Sequence, residues 1–138
     1  MVILTQSQLE QLFEQARRDA PYETCGVIFG KDGRAQIIHP LQNVHEHPQT
    51  RYRPDDQELF AAVNEFEYKQ GYELLAIYHS HPATRAYPSK TDLKESGLYN
   101  GSNVIFIIMS LMNPDAPEAH AYLLNGETIT ETPLKVIE

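Results

Sequence analysis

Two histidines one residue apart, in His79-Ser80-His81, are followed at once by Pro82 and, eleven residues after His81, by Asp92. Residues i and i+2 of an extended chain point to the same face, so two imidazoles at the end of a strand converge. The apolar run Leu74 to Tyr78 reads as that strand, running out where His79 begins. Ser89 reads as the start of a helix whose first turn presents Asp92. A strand end and a helix start can therefore bring two nitrogens and one carboxylate oxygen to one point. Three protein ligands with a fourth position left for water is the pattern of a catalytic zinc site, whereas structural zinc sites are closed and usually rich in cysteine. A chain whose single cysteine is Cys25 cannot build the second kind.

Other readings of the same residues stand beside this one. Ser89-x-x-Asp92 is also an ordinary capping box, in which the Asp92 carboxylate returns to the Ser89 N–H, so Asp92 has to choose its main partner. Two histidines and a carboxylate also serve non-haem iron oxygenases. Small-molecule zinc deaminases activate water in the same way, but their His-x-Glu and Pro-Cys-x-x-Cys patterns are absent. A second His-x-His, His45-Glu46-His47, lies in an irregular stretch with no strand to hold its rings and no third ligand at a telling distance, so it reads as loop polarity. Arg51, Tyr52 and Arg53 beside it read as a solvated cluster or a contact for a partner protein, and Asn43 as a residue that positions loop backbone without an assignable role. Cys25 stands in an apolar run, where a buried inert thiol is the expected state rather than a nucleophile.

Taken together, His79-Ser80-His81-Pro82, Pro88-Ser89-x-x-Asp92 and the upstream Glu23-Thr24-Cys25-Gly26 resemble the signature of the JAMM (JAB1/MPN/Mov34) metallopeptidases, in the compact prokaryotic form. The resemblance spans essentially the whole chain. It implies a cytidine-deaminase-like JAMM/MPN architecture, a Zn2+ ion held by His79, His81 and Asp92, a water activated by Glu23, and Ser89 helping to stabilise the tetrahedral intermediate. It further implies a metallopeptidase or isopeptidase acting after the C-terminal Gly-Gly tail of a ubiquitin-like protein of the sulfur-carrier type. The alternatives are a scaffold of the same fold without catalysis and a small-molecule zinc hydrolase. On the residues alone, Glu23 reads as a solvated loop carboxylate, by far the usual fate of a Glu after Pro-Tyr, and only the rest of the motif raises it. For it to act as a base, the strand that follows it must lie beside Leu74 to Tyr78.

The elements that must do this positioning are readable in outline. Thr5 with Gln8, and Ser7 with Glu10, form overlapping capping boxes ahead of Leu9, Leu12, Phe13 and Ala16 at helical spacing, giving an amphipathic helix that ends near Pro21. Thr24 to Gly30 and Ala35 to Ile38 read as a hairpin around Asp32-Gly33. The stretch from His39 to Pro54 lacks periodicity, and its part from His45 to Pro54 is the candidate wall of a substrate groove, with an extended tail adding to an exposed strand edge. Asp55 and Asp56 start a helix carried by Leu59, Phe60, Val63, Phe66 and Glu67 to Gly71. A helix from Ser89 to Leu98, closed by Asn100-Gly101, precedes a buried strand from Val104 to Met109. A second hairpin runs from Ala119 to Glu131 around Asn125-Gly126. The alternation predicts an α/β sandwich around one mixed sheet, with a single domain over residues 1–138.

Composition narrows the partners. A chain of 138 residues with 41% hydrophobic and 22% charged residues can bury roughly 68–70% of its unfolded surface and needs no staples. A net charge of −8 repels phosphate backbones and anionic lipid, which argues against nucleic acid and membrane partners. The absence of a basic and apolar N-terminal leader and of an internal disulfide fits a soluble, cytoplasmic protein.

Overall fold

The computed structural model describes residues 1–99 and 101–138, so Asn100 of the expected helix stop lies outside the described residues. One eight-stranded mixed sheet organises the chain: β1 (Val2–Thr5), β2 (Cys25–Lys31), β3 (Arg34–Leu41), β4 (Glu73–His81), β5 (Ile105–Ser110), β6 (Glu118–Asn125), β7 (Thr128–Thr132) and β8 (Leu134–Ile137). Their order in space is β7-β6-β5-β4-β2-β3-β1-β8. Helix α1 (Gln6–Asp19) covers one face. On the other lie α2 (Asp56–Ala62), which continues as a π-helical stretch (Val63–Lys69), and the short α3 (Lys90–Glu95), which tightens into a 3-10 turn (Ser96–Tyr99).

Both faces of the central strands are buried, and alternation along β4 separates them. Ala76 and Tyr78 join Leu12, Phe13, Ala16 and Ile107 under α1, while Ile77 joins Val27, Phe29, Phe106 and Ile108 under α2 and α3. His79 and His81 share the parity of Ile77, so they emerge on the α2/α3 face. Helix α1 begins with the Thr5–Gln8 capping box, the first of the two overlapping candidates. Asp55 caps α2 by accepting from the N–H groups of Gln57 and Glu58, and Gly71, at φ +78°, follows the π-helical stretch. Phe60, expected to help carry this helix, instead points to solvent at 76% exposure.

The first hairpin turns at Asp32 and Gly33, both at positive φ, as a type I′ turn requires. In the second, Asn125 pairs with Thr128, so the turn residues are Gly126 and Glu127, one position later than Asn125-Gly126 suggests. Two four-residue strands were not readable locally: β8 pairs in parallel with β1, from Val2 with Leu134 to Thr5 with Ile137. No helix among the described residues is long and apolar enough to cross a membrane.

Candidate metal centre

Strand β4 runs to His81 rather than stopping at Tyr78, so the two histidines belong to the strand itself. It is clamped on both sides. Cys25 of β2 stands opposite His79 in antiparallel register, and Ile108, Met109 and Ser110 of β5 run parallel beside His79, Ser80 and His81. The backbone under the imidazoles is therefore fixed by two ladders, at the C-terminal ends of the parallel pair β4 and β5, where open α/β sheets place their ligands.

The His79 and His81 Nε2 atoms lie 3.2 Å apart, and Asp92 Oδ2 lies 3.2 Å from the first and 3.1 Å from the second. Donors around a tetrahedral ion at ~2.0–2.2 Å stand about 3.3–3.6 Å from one another, so a small outward shift of this triangle would make room for a zinc ion. Asp92 does not choose between cap and site. The same Oδ2 accepts the Ser89 N–H at 2.9 Å while Ser89 Oγ accepts the Asp92 N–H at 3.0 Å, so the capping box aims the carboxylate. Burial works against the charge of Asp92, but the two imidazoles and the Ser89 N–H hold its carboxyl well below the usual range.

Burial pushes the His79 pKa down, against the pull of Asp92, and so favours the neutral imidazole that binds metals. For His81, burial is outweighed by Asp92 and by the Arg85 carbonyl, 2.9 Å from Nδ1, and its pKa is raised. That carbonyl also fixes the His81 ring and leaves Nε2 for the site, the usual arrangement of a ligand histidine. His79 Nδ1 is buried with no hydrogen-bond partner among the described residues. Its ring is held by packing instead, stacked on Tyr52 with centroids 4.2 Å apart and planes within 18°.

Glu23 is the fourth member. The pairing of β2 with β4 supplies the adjacency it needs, and its carboxylate comes within 4.8 Å of the donor nitrogens of His79 and His81. With one ligand atom from each residue, Glu23, His79 and His81 could themselves hold a metal ion, so the two imidazoles are shared between this trio and the one completed by Asp92. Glu23 is 5% exposed, and its Oε1 has no partner among the described residues. Burial pushes its pKa up to about 8, with His81 opposing and Asp92 adding. A carboxyl poised near neutrality can both take and return a proton.

Its backbone is held by a buried network invisible in sequence. The Thr24 N–H donates to Ser80 Oγ at 2.8 Å, and Gln15 Nε2 donates to Thr24 Oγ1 at 2.7 Å and to the Cys25 carbonyl at 3.0 Å. Tyr78 Oη donates to Gln15 Oε1 at 2.6 Å. Gly26 is required beneath that tyrosine, since a Cβ there would run into the Tyr78 hydroxyl. The polar Gln15 on the core face of α1 was the one available signal. Tyr52, read as part of a solvated or partner-binding cluster, packs on His79. Cys25 is fully buried, and burial pushes its thiol up to about 12, consistent with an inert core residue. His45 and His47 gather no third ligand among the described residues.

The family model for prokaryotic homologues of the JAB domain matches residues 5–124. The chain belongs to that family. A CysO-cysteine peptidase of Mycobacterium tuberculosis is 32% identical over 140 residues, covering 100% of this chain and 92% of its own. A probable TtuB-protein conjugate cleaving protease of Thermus thermophilus is 42% identical over 88 residues, covering 64% of this chain and 58% of its own. Among solved structures, a protein of Desulfitobacterium hafniense superposes with a TM-score of 0.88 at 30% identity, covering 100% of this chain and 94% of its own. A JAB1/MPN domain protein of Archaeoglobus fulgidus shares the fold, with a TM-score of 0.65 at 22% identity and full coverage of both chains. The expected JAMM/MPN architecture is thus the observed one, and the Prok-JAB match takes in Glu23, His79, His81, Ser89 and Asp92.

Proposed function

We propose that this chain is a zinc-dependent metallopeptidase or isopeptidase that hydrolyses the amide bond after the C-terminal Gly-Gly tail of a ubiquitin-like protein. The observation that carries the reading is the triangle of His79, His81 and Asp92 donors with 3.1–3.2 Å edges, beside the buried Glu23, whose Oε1 has no partner among the described residues. His79, His81 and Asp92 would hold the ion. When bound, zinc lowers the pKa of a coordinated water to ~7 and polarises a carbonyl. Glu23 takes the proton from the attacking water and delivers it to the leaving nitrogen. Ser89 Oγ, which caps α3 as an acceptor, still has its own O–H to donate to the carbonyl oxygen as charge develops there.

Relatives named for cleaving CysO-cysteine and TtuB-protein conjugates support the substrate class. Among the described residues β4 is flanked by β5 and β2, and β7 and β8 are the outermost strands, so a tail that pairs as a strand at the site would do so beyond the ends of these ladders. The loop from His45 to Pro54, which brings Tyr52 onto His79, would form the wall of the groove. Glycines suit a groove that approaches the backbone closely. The test is incubation of zinc-loaded protein with a Gly-Gly-ended ubiquitin-like protein extended by one amino acid or joined to a lysine side chain, with products weighed by mass spectrometry. A single cut after the second glycine, slowed when either glycine becomes alanine, is expected. Scattered cuts in unfolded proteins, or none, would contradict it.

A further inference from the structure

Asn43 lies just beyond β3, where it bridges to Pro54 and closes the loop that carries His45, His47 and Tyr52. Its side-chain amide is fully used. Nδ2 donates to the Glu23 carbonyl at 3.0 Å and to the Arg51 carbonyl at 3.0 Å, while Oδ1 accepts from the His45 N–H at 3.1 Å and the Arg53 N–H at 3.0 Å. Two donors and two acceptor positions are the whole capacity of a primary amide, and the opposite orientation would set its oxygen against two carbonyls. The loop also returns to Glu23 a second time, since the Glu23 N–H donates to the Pro48 carbonyl at 2.7 Å. Both main-chain groups of Glu23 are therefore held by this one loop.

This matters because Glu23 Oε1 has no hydrogen-bond partner of its own among the described residues. Where a carboxylate lacks such a tether, its aim is inherited from its backbone and its packing. The same loop places Tyr52 on His79. We propose that Asn43 is a positioning residue, a four-way clamp that sets the Glu23 backbone in register with the Tyr52 loop over His79. The inference rests on the reading of Glu23 as the base. It assigns Asn43 no contact with substrate or metal.

Asn43→Asp separates the two halves of the clamp. It keeps an oxygen facing the His45 and Arg53 N–H groups and puts a carboxylate oxygen against the Glu23 and Arg51 carbonyls. In the zinc-loaded protein at pH 8, kcat on a Gly-Gly conjugate is expected to fall by up to ~10²-fold, the scale of a 1 Å misplacement, with KM and metal content unchanged. In the Glu23→Gln background, Asn43→Asp should change kcat less than about twofold, because the group it positions is already disabled. Amide hydrogen exchange supplies a readout independent of turnover. Asn43→Asp should displace the Glu23 carbonyl and so loosen the Glu23 N–H bond to the Pro48 carbonyl, speeding exchange at Glu23 while sparing His45 and Arg53, and Asn43→Ala should speed all three. Equal losses of kcat in both backgrounds, or unchanged exchange at Glu23, would overturn the proposal. A parent protein that cleaves no Gly-Gly conjugate would sink the proposed function instead, and the exchange pattern would still decide whether Asn43 holds Glu23. If Asn43→Ala does not fold, the contrast within Asn43→Asp between Glu23 and the loop amides decides the same question.

Discussion

The chain contains the same tripeptide pattern twice, and the two copies meet different fates. His79 and His81 stand on a strand bonded on both sides, 1% and 5% exposed, with their Nε2 atoms 3.2 Å apart and a buried carboxylate completing the set. His45 and His47 stand in a loop with ring centroids 6.0 Å apart, against 5.0 Å for His79 and His81, and His45 Nδ1 is already taken by the His47 N–H at 2.9 Å. Spacing alone makes a convergent pair possible. The ladders on both flanks and a helix start that aims Asp92 make it a site, because donors must be held apart from their own backbone and close to one another.

The sharpest way to break this comparison acts on the strand side. Glu23→Gln keeps the size of the side chain but cannot take a proton, so turnover should drop ~10²–10⁴-fold, about 3–5 kcal/mol of barrier, with metal content unchanged. Steady-state rates beside metal analysis check this; a folded, metal-loaded Glu23→Gln protein nearly as fast as the parent would show that Glu23 is not the base.

Much of this was legible in the sequence, for identifiable reasons. Periodicity and capping residues located α1, and Asp-Gly located the first hairpin, because those signals are local. The pairing of β2 with β4 that brings Glu23 to His79 is a contact between distant segments, as is the pairing of β1 with β8, and no local pattern encodes either. The partners of Gln15, Tyr52 and Asn43 stayed hidden for the same reason, since Tyr78, His79 and Glu23 lie far from them along the chain. Asp92 looked like a choice between cap and ligand because a sequence does not show that one oxygen faces both.

Weaker effects sharpen the same contrast. Tyr52→Ala removes the ring that fixes His79 in place of a hydrogen bond, and should weaken metal affinity by ~10–100-fold, the range for lost outer partners of metal ligands. Competition with a chelator measures it, and an unchanged affinity would show that the strand alone orients His79. Gly26→Ala pushes a methyl into the Tyr78 hydroxyl and should cost about 1–3 kcal/mol of stability by denaturant unfolding. The exposed loop substitution Glu46→Ala should stay within ~0.5 kcal/mol of the parent. Equal costs at the two positions would mean that the framework under the site is no more exacting than the loop above it.

The most direct test of whether the strand pair, and not the loop pair, holds the metal is metal content per chain, measured in parallel for the parent, His79→Ala and the double variant His45→Ala/His47→Ala, each confirmed as folded. About one zinc is expected in the parent and in the loop variant and none in His79→Ala, as for a catalytic site of three protein ligands. Zinc retained by His79→Ala and lost by the loop variant would contradict it.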